Sequence, residues 1–268
     1  MDFFNQGIPL GRWFRIQVII HWTFVIYAAF EIFGVGKADP VTSALLMGLL
    51  FATVLLHEFG HALSCKAVGG EAPRIILWPL GGIAFVQPPM NPRAWLITTV
   101  CGPLVNVILW PIFYFLSKSL VTQRIGVEGW LYIRDLILSD PGIGFGNELG
   151  VAVQISLVLW QINRLLLLFN LIPAYPMDGG RILQELLWFG VGYPRSLMIA
   201  GMVGTVAGVG FIVIGLGFES ISIPAIHFTL GNPDHTPETM LAVIGFLCCT
   251  RSWAIYQQSQ QIQSWRKK

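Results

Sequence analysis

Residues 47–56 (MGLLFATVLL) carry no charged side chain, and the chain then continues HEFGHALSC to Cys65. No other feature limits the fold as tightly. A helix through such a stretch is hydrophobic all round, as a membrane span is. Composition extends that reading to the whole chain. Of 268 residues only 11% are charged and 54% are hydrophobic, with a mean hydropathy of +0.67, against about 25% charged in an average soluble domain. The expectation is an all-α polytopic membrane protein. The net charge is only +2 and no basic stripe with interleaved aromatics is present, which excludes a nucleic-acid surface. Cys65, Cys101, Cys248 and Cys249 form no CxxC pair, so neither a thiolate metal site nor a redox pair is indicated.

About six spans are expected, at about 16–33, 41–68, 94–116, 151–172, 196–218 and 239–256, all within one domain over 1–268. The fifth is rich in glycine, and GMVGTVAGVG suits close packing through small residues. Between the second and third spans Pro73, Pro79, Gly81, Gly82, Pro88 and Pro89 exclude a regular helix. There RIILW and IAFVQ flank PLGG, which predicts a short re-entrant β-hairpin at about 73–87 beside the polar end of span two. Residues 117–150, with Lys118, Arg124, Glu128, Arg134, Asp135, Asp140 and Glu148, are expected as an external loop with a short surface helix. Neither a cleavable signal peptide nor an appended soluble domain is recognised.

With six spans and a cytoplasmic N-terminus, Arg12, Arg15, Lys66, Arg74, Arg93, Arg181, Arg195, Arg251, Arg266, Lys267 and Lys268 fall on the inner side. Only Lys37, Lys118, Arg124 and Arg134 fall outside. The positive-inside rule therefore places both termini in the cytoplasm, and the ends of spans two and four on the same cytoplasmic side.

That depth matters because span two ends in chemistry. His57 and His61 are four apart, so on a helix both imidazoles share one face, with Glu58 beside them. This is the HExxH zinc arrangement, two neutral imidazoles as ligands and a carboxylate placed as catalytic base. The bland alternative is a polar end to a membrane helix, but ionisable groups at that depth are costly and mark functional sites. A catalytic zinc takes three protein ligands. Asp178, in NLIPAYPMDGGRIL, is the best remaining candidate: it follows a span ending on the same side, and Pro173, Pro176, Gly179 and Gly180 free the backbone around it. The competing reading makes Asp178 the N-cap of a helix at 181–189.

Taken together, His57-Glu58-Phe59-Gly60-His61, Asn170-Leu171-Ile172-Pro173 and Met177-Asp178-Gly179-Gly180 resemble the site-2 protease family of zinc intramembrane proteases. The likeness extends to IHWTF at 20–24, PLGGIA, and GPLVN at 102–106. It implies one zinc per chain held by His57, His61 and Asp178, with Glu58 as base. It further implies a substrate that is a single-span, membrane-tethered regulatory protein in the same lipid bilayer. Met177 stands where the family usually has leucine, and the PDZ and CBS domains of many members are not recognised. Asn106 and Asn170 read either as interhelical hydrogen-bonding groups or, helped by the resemblance, as residues that position substrate near zinc. His21 reads as interfacial or supporting, and Arg164 as paired or snorkelling. His227 and His235 fall in an outer loop, on the wrong side for ligation. The competing function is a polytopic transporter or ion-path protein whose polar groups line the path.

Overall fold

A computed structural model describes residues 7–34, 40–79, 81–139, 149–218, 221–223, 228–230 and 238–265. In chain order the elements are β1 (Gly7–Trp13), β2 (Ile16–His21), α1 (Trp22–Phe33), α2 (Pro40–Ala67), β3 (Glu71–Trp78), β4 (Gly81–Gln87), α3 (Pro92–Ser139), α4 (Val151–Asn170), α5 (Asp178–Val191), α6 (Tyr193–Gly215), β5 (Ile221–Ile223), β6 (Phe228–Leu230) and α7 (Thr239–Trp265). Among the described residues five helices are long and apolar enough to cross a membrane: α2, α3, α4, α6 and α7. The protein is a helical polytopic membrane protein with a small sheet.

Two units make up the chain: Met1–Tyr132 with Gly144–Leu167, and Ile133–Ile143 with Leu168–Lys268. The first holds the sheet, in the order β1-β2-β3-β4. The hairpin expected at 73–87 is β3 and β4, paired antiparallel, but it is half of a larger sheet because β2 pairs parallel with β3. That pairing corrects the span expected at about 16–33. Residues 16–21 are strand, and only the twelve-residue α1 is helical. Ile16-Gln17-Val18-Ile19-Ile20 is rich in β-branched side chains, and a strand buried in a sheet reads as a continuous apolar run. The β1–β2 turn supplies the missing punctuation: Phe14 and Arg15 take φ of 53° and 62°, the paired positive values of a two-residue hairpin turn. On the opposite strand edge β4 has no partner strand among the described residues. Ile16, Val18, Ile75 and Leu77 pack into one core with Phe51, Val54, Leu55, Phe59 and Ala62 of α2.

The external loop expected at 117–150 is also corrected. Helix α3 continues through Ser139, interrupted at Gly126, whose φ of 79° and ψ of 177° break the helical path. The charges there decorate a helix with a buried side, carrying Val121, Trp130 and Ile137 at 1% exposure or less. Trp130 meets Tyr114 and Trp160 at ring separations of 5.4 and 5.6 Å. Residues 140–148 lie outside the described residues.

In the second unit α6 and α7 pack closely. A Cβ on Gly208 would stand 2.7 Å from the backbone nitrogen of Cys249, and one on Gly245 would stand 2.7 Å from the Gly208 carbonyl oxygen. The glycine-rich stretch packs as its composition suggests, with backbones in contact where side chains are missing. Ala174, Phe211, Ile214, Leu241 and Cys248 form the core of this unit.

Candidate metal centre

The polar end of α2 is buried. His57, Glu58 and His61 are 4%, 8% and 6% exposed. Helical spacing stacks the two imidazoles, and their Nε2 atoms face each other at 3.1 Å. What holds them there is α3. Thr98, Gly102 and Asn106 are four residues apart and line one stripe of that helix. The His61 Nδ1 lies 2.9 Å from the Thr98 carbonyl oxygen, and the His57 Nδ1 lies 2.7 Å from the Asn106 Oδ1. Between them, a Cβ on Gly102 would fall 2.1 Å from the His61 Nε2, so only glycine leaves room for the ring. Gly60 is matched in kind, since a Cβ there would meet the Cys101 carbonyl oxygen at 2.3 Å. The two helices meet through glycines while the histidines and their acceptors interdigitate.

Glu58 points to the sheet instead. Its Oε2 accepts from the Ala84 backbone N–H on β4 at 2.7 Å. A Cβ on Gly82 would reach the Glu58 Cγ at 2.3 Å, so the second glycine of PLGG makes the space in which the carboxylate lies. The hairpin thus serves the HExxH helix directly.

A backbone carbonyl can only accept, so His61 must donate from Nδ1 and present a lone pair at Nε2. His57 has the same arrangement if the Asn106 Oδ1 is its acceptor. Two imidazole lone pairs facing at 3.1 Å repel each other unless a cation lies on the line of sight of both. Both neutral imidazoles with Nδ1 tied back are also how metal-binding histidines are ordinarily held. The residues present fit a bound zinc ion.

Asp178 and Asn170 belong to the second unit. Helix α5 begins at Asp178 itself, and Met177 occupies the cap position with no side-chain capping bond, so Asp178 is not an N-cap. It is 7% exposed and sits in the first turn, where the helix dipole favours a carboxylate. Gly179 and Gly180 let that turn press against the preceding segment: a Cβ at either would lie within 2.7 Å of backbone atoms of residues 171–175. Nearby Tyr175 is buried, and burial pushes its phenol well above the ordinary value, with the Arg181 charge opposing, so it stays a neutral donor near pH 7. Asn170 ends α4 and is half-buried.

His21 is fully buried as the N-cap of α1, with its Nδ1 2.6 Å from the Thr23 Oγ1. Arg164 is 3% exposed, enclosed by protein. His227 and His235 lie outside the described residues. Sequence reading missed Thr98, Gly82 and Asn163. Thr98 acts through its carbonyl and so has no side-chain signature, whereas Asn163 was visible as an amide on an apolar span.

Residues 45–214 match the model of Peptidase family M50. The chain belongs to that family. The M50 chain is 30% identical to the zinc metalloprotease MJ0392 of Methanocaldococcus jannaschii, over 79% of its own length and 55% of that protein's. It is 33% identical to the putative zinc metalloprotease sll0528 of Synechocystis, over 81% and 53% respectively. It thus spans about half the length of the curated relatives it matches. Its fold is similar to that of the solved site-2 protease from M. jannaschii, with a TM-score of 0.57, 24% identity, and coverage of 93% of this chain and 95% of that one. The resemblance to the site-2 protease family is borne out by these matches.

Proposed function

We propose that this M50 chain is a zinc-dependent intramembrane endopeptidase that hydrolyses a peptide bond within or near the transmembrane helix of a membrane-tethered regulatory protein. The observation that carries the reading is the buried histidine pair, Nε2 facing Nε2 at 3.1 Å with both Nδ1 atoms tied back to α3. One zinc per chain would be held by His57 and His61, with Asp178, a buried carboxylate, as the third ligand that a catalytic zinc requires. When bound, zinc supplies Lewis acidity to the attacking water and to the scissile carbonyl. Glu58 takes the proton from that water at its carboxylate and returns it to the leaving amine. Resting on the Ala84 N–H, its carboxylate is preset in position before substrate arrives.

A helical substrate hides its peptide carbonyls in hydrogen bonds, so it unwinds locally before attack. The β4 edge away from β3, unpaired by any strand among the described residues, suits an unwound segment by strand addition beside the Ala84 N–H that Glu58 occupies. Lys66, Arg74 and Arg93 after α2, with Arg181 and Arg195 after α4, would put the active site toward the cytoplasm, which gives water a short path in. Asn170 is assigned to positioning substrate near the metal.

Zinc content and cleavage of a single-span reporter, measured in detergent on wild type, Glu58→Gln and Asp178→Ala, test the proposal. Glu58→Gln should keep about one zinc and lose cleavage by roughly 10²–10⁴-fold, while Asp178→Ala should lose both. A wild type without zinc would end the protease reading.

A further inference from the structure

The acceptor for His57 is itself held by a second buried amide. The Asn106 Nδ2 donates to the Asn163 Oδ1 on α4 at 2.9 Å, and the Asn163 Nδ2 donates to the Leu159 carbonyl oxygen one turn back on the same helix at 2.8 Å. Asn106 and Asn163 are both 0% exposed. The order of atoms in this chain is not arbitrary. A carbonyl oxygen cannot donate, so Leu159 compels Asn163 to turn its NH₂ toward the α4 backbone and its Oδ1 toward Asn106. Asn106 must then answer with its NH₂, which leaves its Oδ1 for His57. His57 is left to donate from Nδ1, which puts its lone pair at Nε2, opposite His61.

Resting on the metalloprotease reading, we infer that Asn106 and Asn163 form a positioning relay. It fixes His57 as the Nδ1–H tautomer and readies its Nε2 for zinc, with the Leu159 carbonyl setting the direction. Both amide ends of Asn106 are engaged in this relay, which takes the interhelical hydrogen-bonding alternative of its two sequence readings. The two histidines thus reach one state by two routes. His61 is fixed directly by a backbone carbonyl, His57 through two side chains that either get the order right together or fail together. Supporting hydrogen bonds of this kind typically change metal affinity by about 10–100-fold.

The test uses the full chain in detergent and zinc alone as the probe, with the dissociation constant read by chelator competition. Asn106→Leu should weaken zinc binding by about 10–100-fold, and Asn163→Leu by less, because Asn106 then remains free to choose the right orientation part of the time. Asn106→Asp should stay within a few-fold of wild type. Its carboxylate still accepts from His57, and Asn163 can turn its NH₂ toward it at the cost only of the Leu159 contact, whose oxygen keeps its helical N–H. Nitrogen-15 spectra of the metal-free protein add a readout that needs no activity: the wild-type His57 ring should carry its hydrogen on Nδ1. Unchanged affinity in Asn106→Leu overturns the relay. So does an Asn106→Asp variant as weak as the leucine one, or a wild-type ring with hydrogen on Nε2. Should the leucine variants not fold, the aspartate variant and the wild-type spectrum still decide. A wild type that binds no zinc ends the protease reading instead, and the spectrum alone then judges the relay.

Discussion

Two helix crossings in this protein are built from the same material and used for opposite ends. Where α2 meets α3, Gly60 and Gly102 bring the helices close, and the space above Gly102 is filled by the His61 ring. Where α6 meets α7, Gly208 and Gly245 do the same, and the space is filled by backbone. In the first crossing glycine makes room for a reactive side chain; in the second it lets two helices gain contact over their length. A small-residue pattern therefore says that something approaches closely, and only the neighbour says whether that something is chemistry or packing.

That comparison can be broken by four substitutions, taken from the largest expected effect. Gly82→Ala adds a methyl where the Glu58 side chain lies, so reporter cleavage should fall toward the roughly 10²–10⁴-fold that a general base contributes, with zinc content unchanged. Loss of zinc as well would show that the hairpin supports the whole centre. Gly102→Ala drives a methyl into the His61 imidazole and should weaken zinc binding by about 10–100-fold, read by chelator competition. Full affinity would mean that the crossing relaxes and that glycine is not required there. Gly208→Ala overpacks backbone against backbone, costing about 1–3 kcal/mol in detergent unfolding, while the folded fraction keeps its zinc affinity. A parallel drop in affinity would erase the distinction between the crossings. Gly210→Ala, two residues along the same helix with open space around it, should stabilise by about 1 kcal/mol or less through helix propensity. Destabilisation there would mean that an added methyl meets a close neighbour at 210 as well, and that open space does not distinguish it from Gly208.

Much of the centre was legible because its signals are local. Two histidines four apart share a helix face whatever surrounds them, and long uncharged runs must be buried in lipid or protein. Proline and glycine between 73 and 89 forbid helix and leave strands and a turn. Even Asp178 stood out through placement, although its local reading as an N-cap failed once the helix began at the residue itself.

Other features depended on partners far along the chain. Residues 16–21 look like the start of a span because hydrophobicity does not distinguish lipid from the middle of a sheet; only pairing with β1 and β3 does. The charges beyond residue 117 suggested a loop, yet a helix can carry them on one side while Trp130 and Val121 are buried on the other. The sequence by itself determined that the chain is helical, membrane-spanning and equipped with an HExxH helix, since periodicity and composition act within a few turns. The tertiary structure alone decided which atoms face that helix: the Thr98 carbonyl, the Gly102 gap, the Ala84 N–H and the Asn106–Asn163 pair. Hydrogen-bond direction and close approach are properties of two surfaces in contact, and no single stretch of sequence contains both.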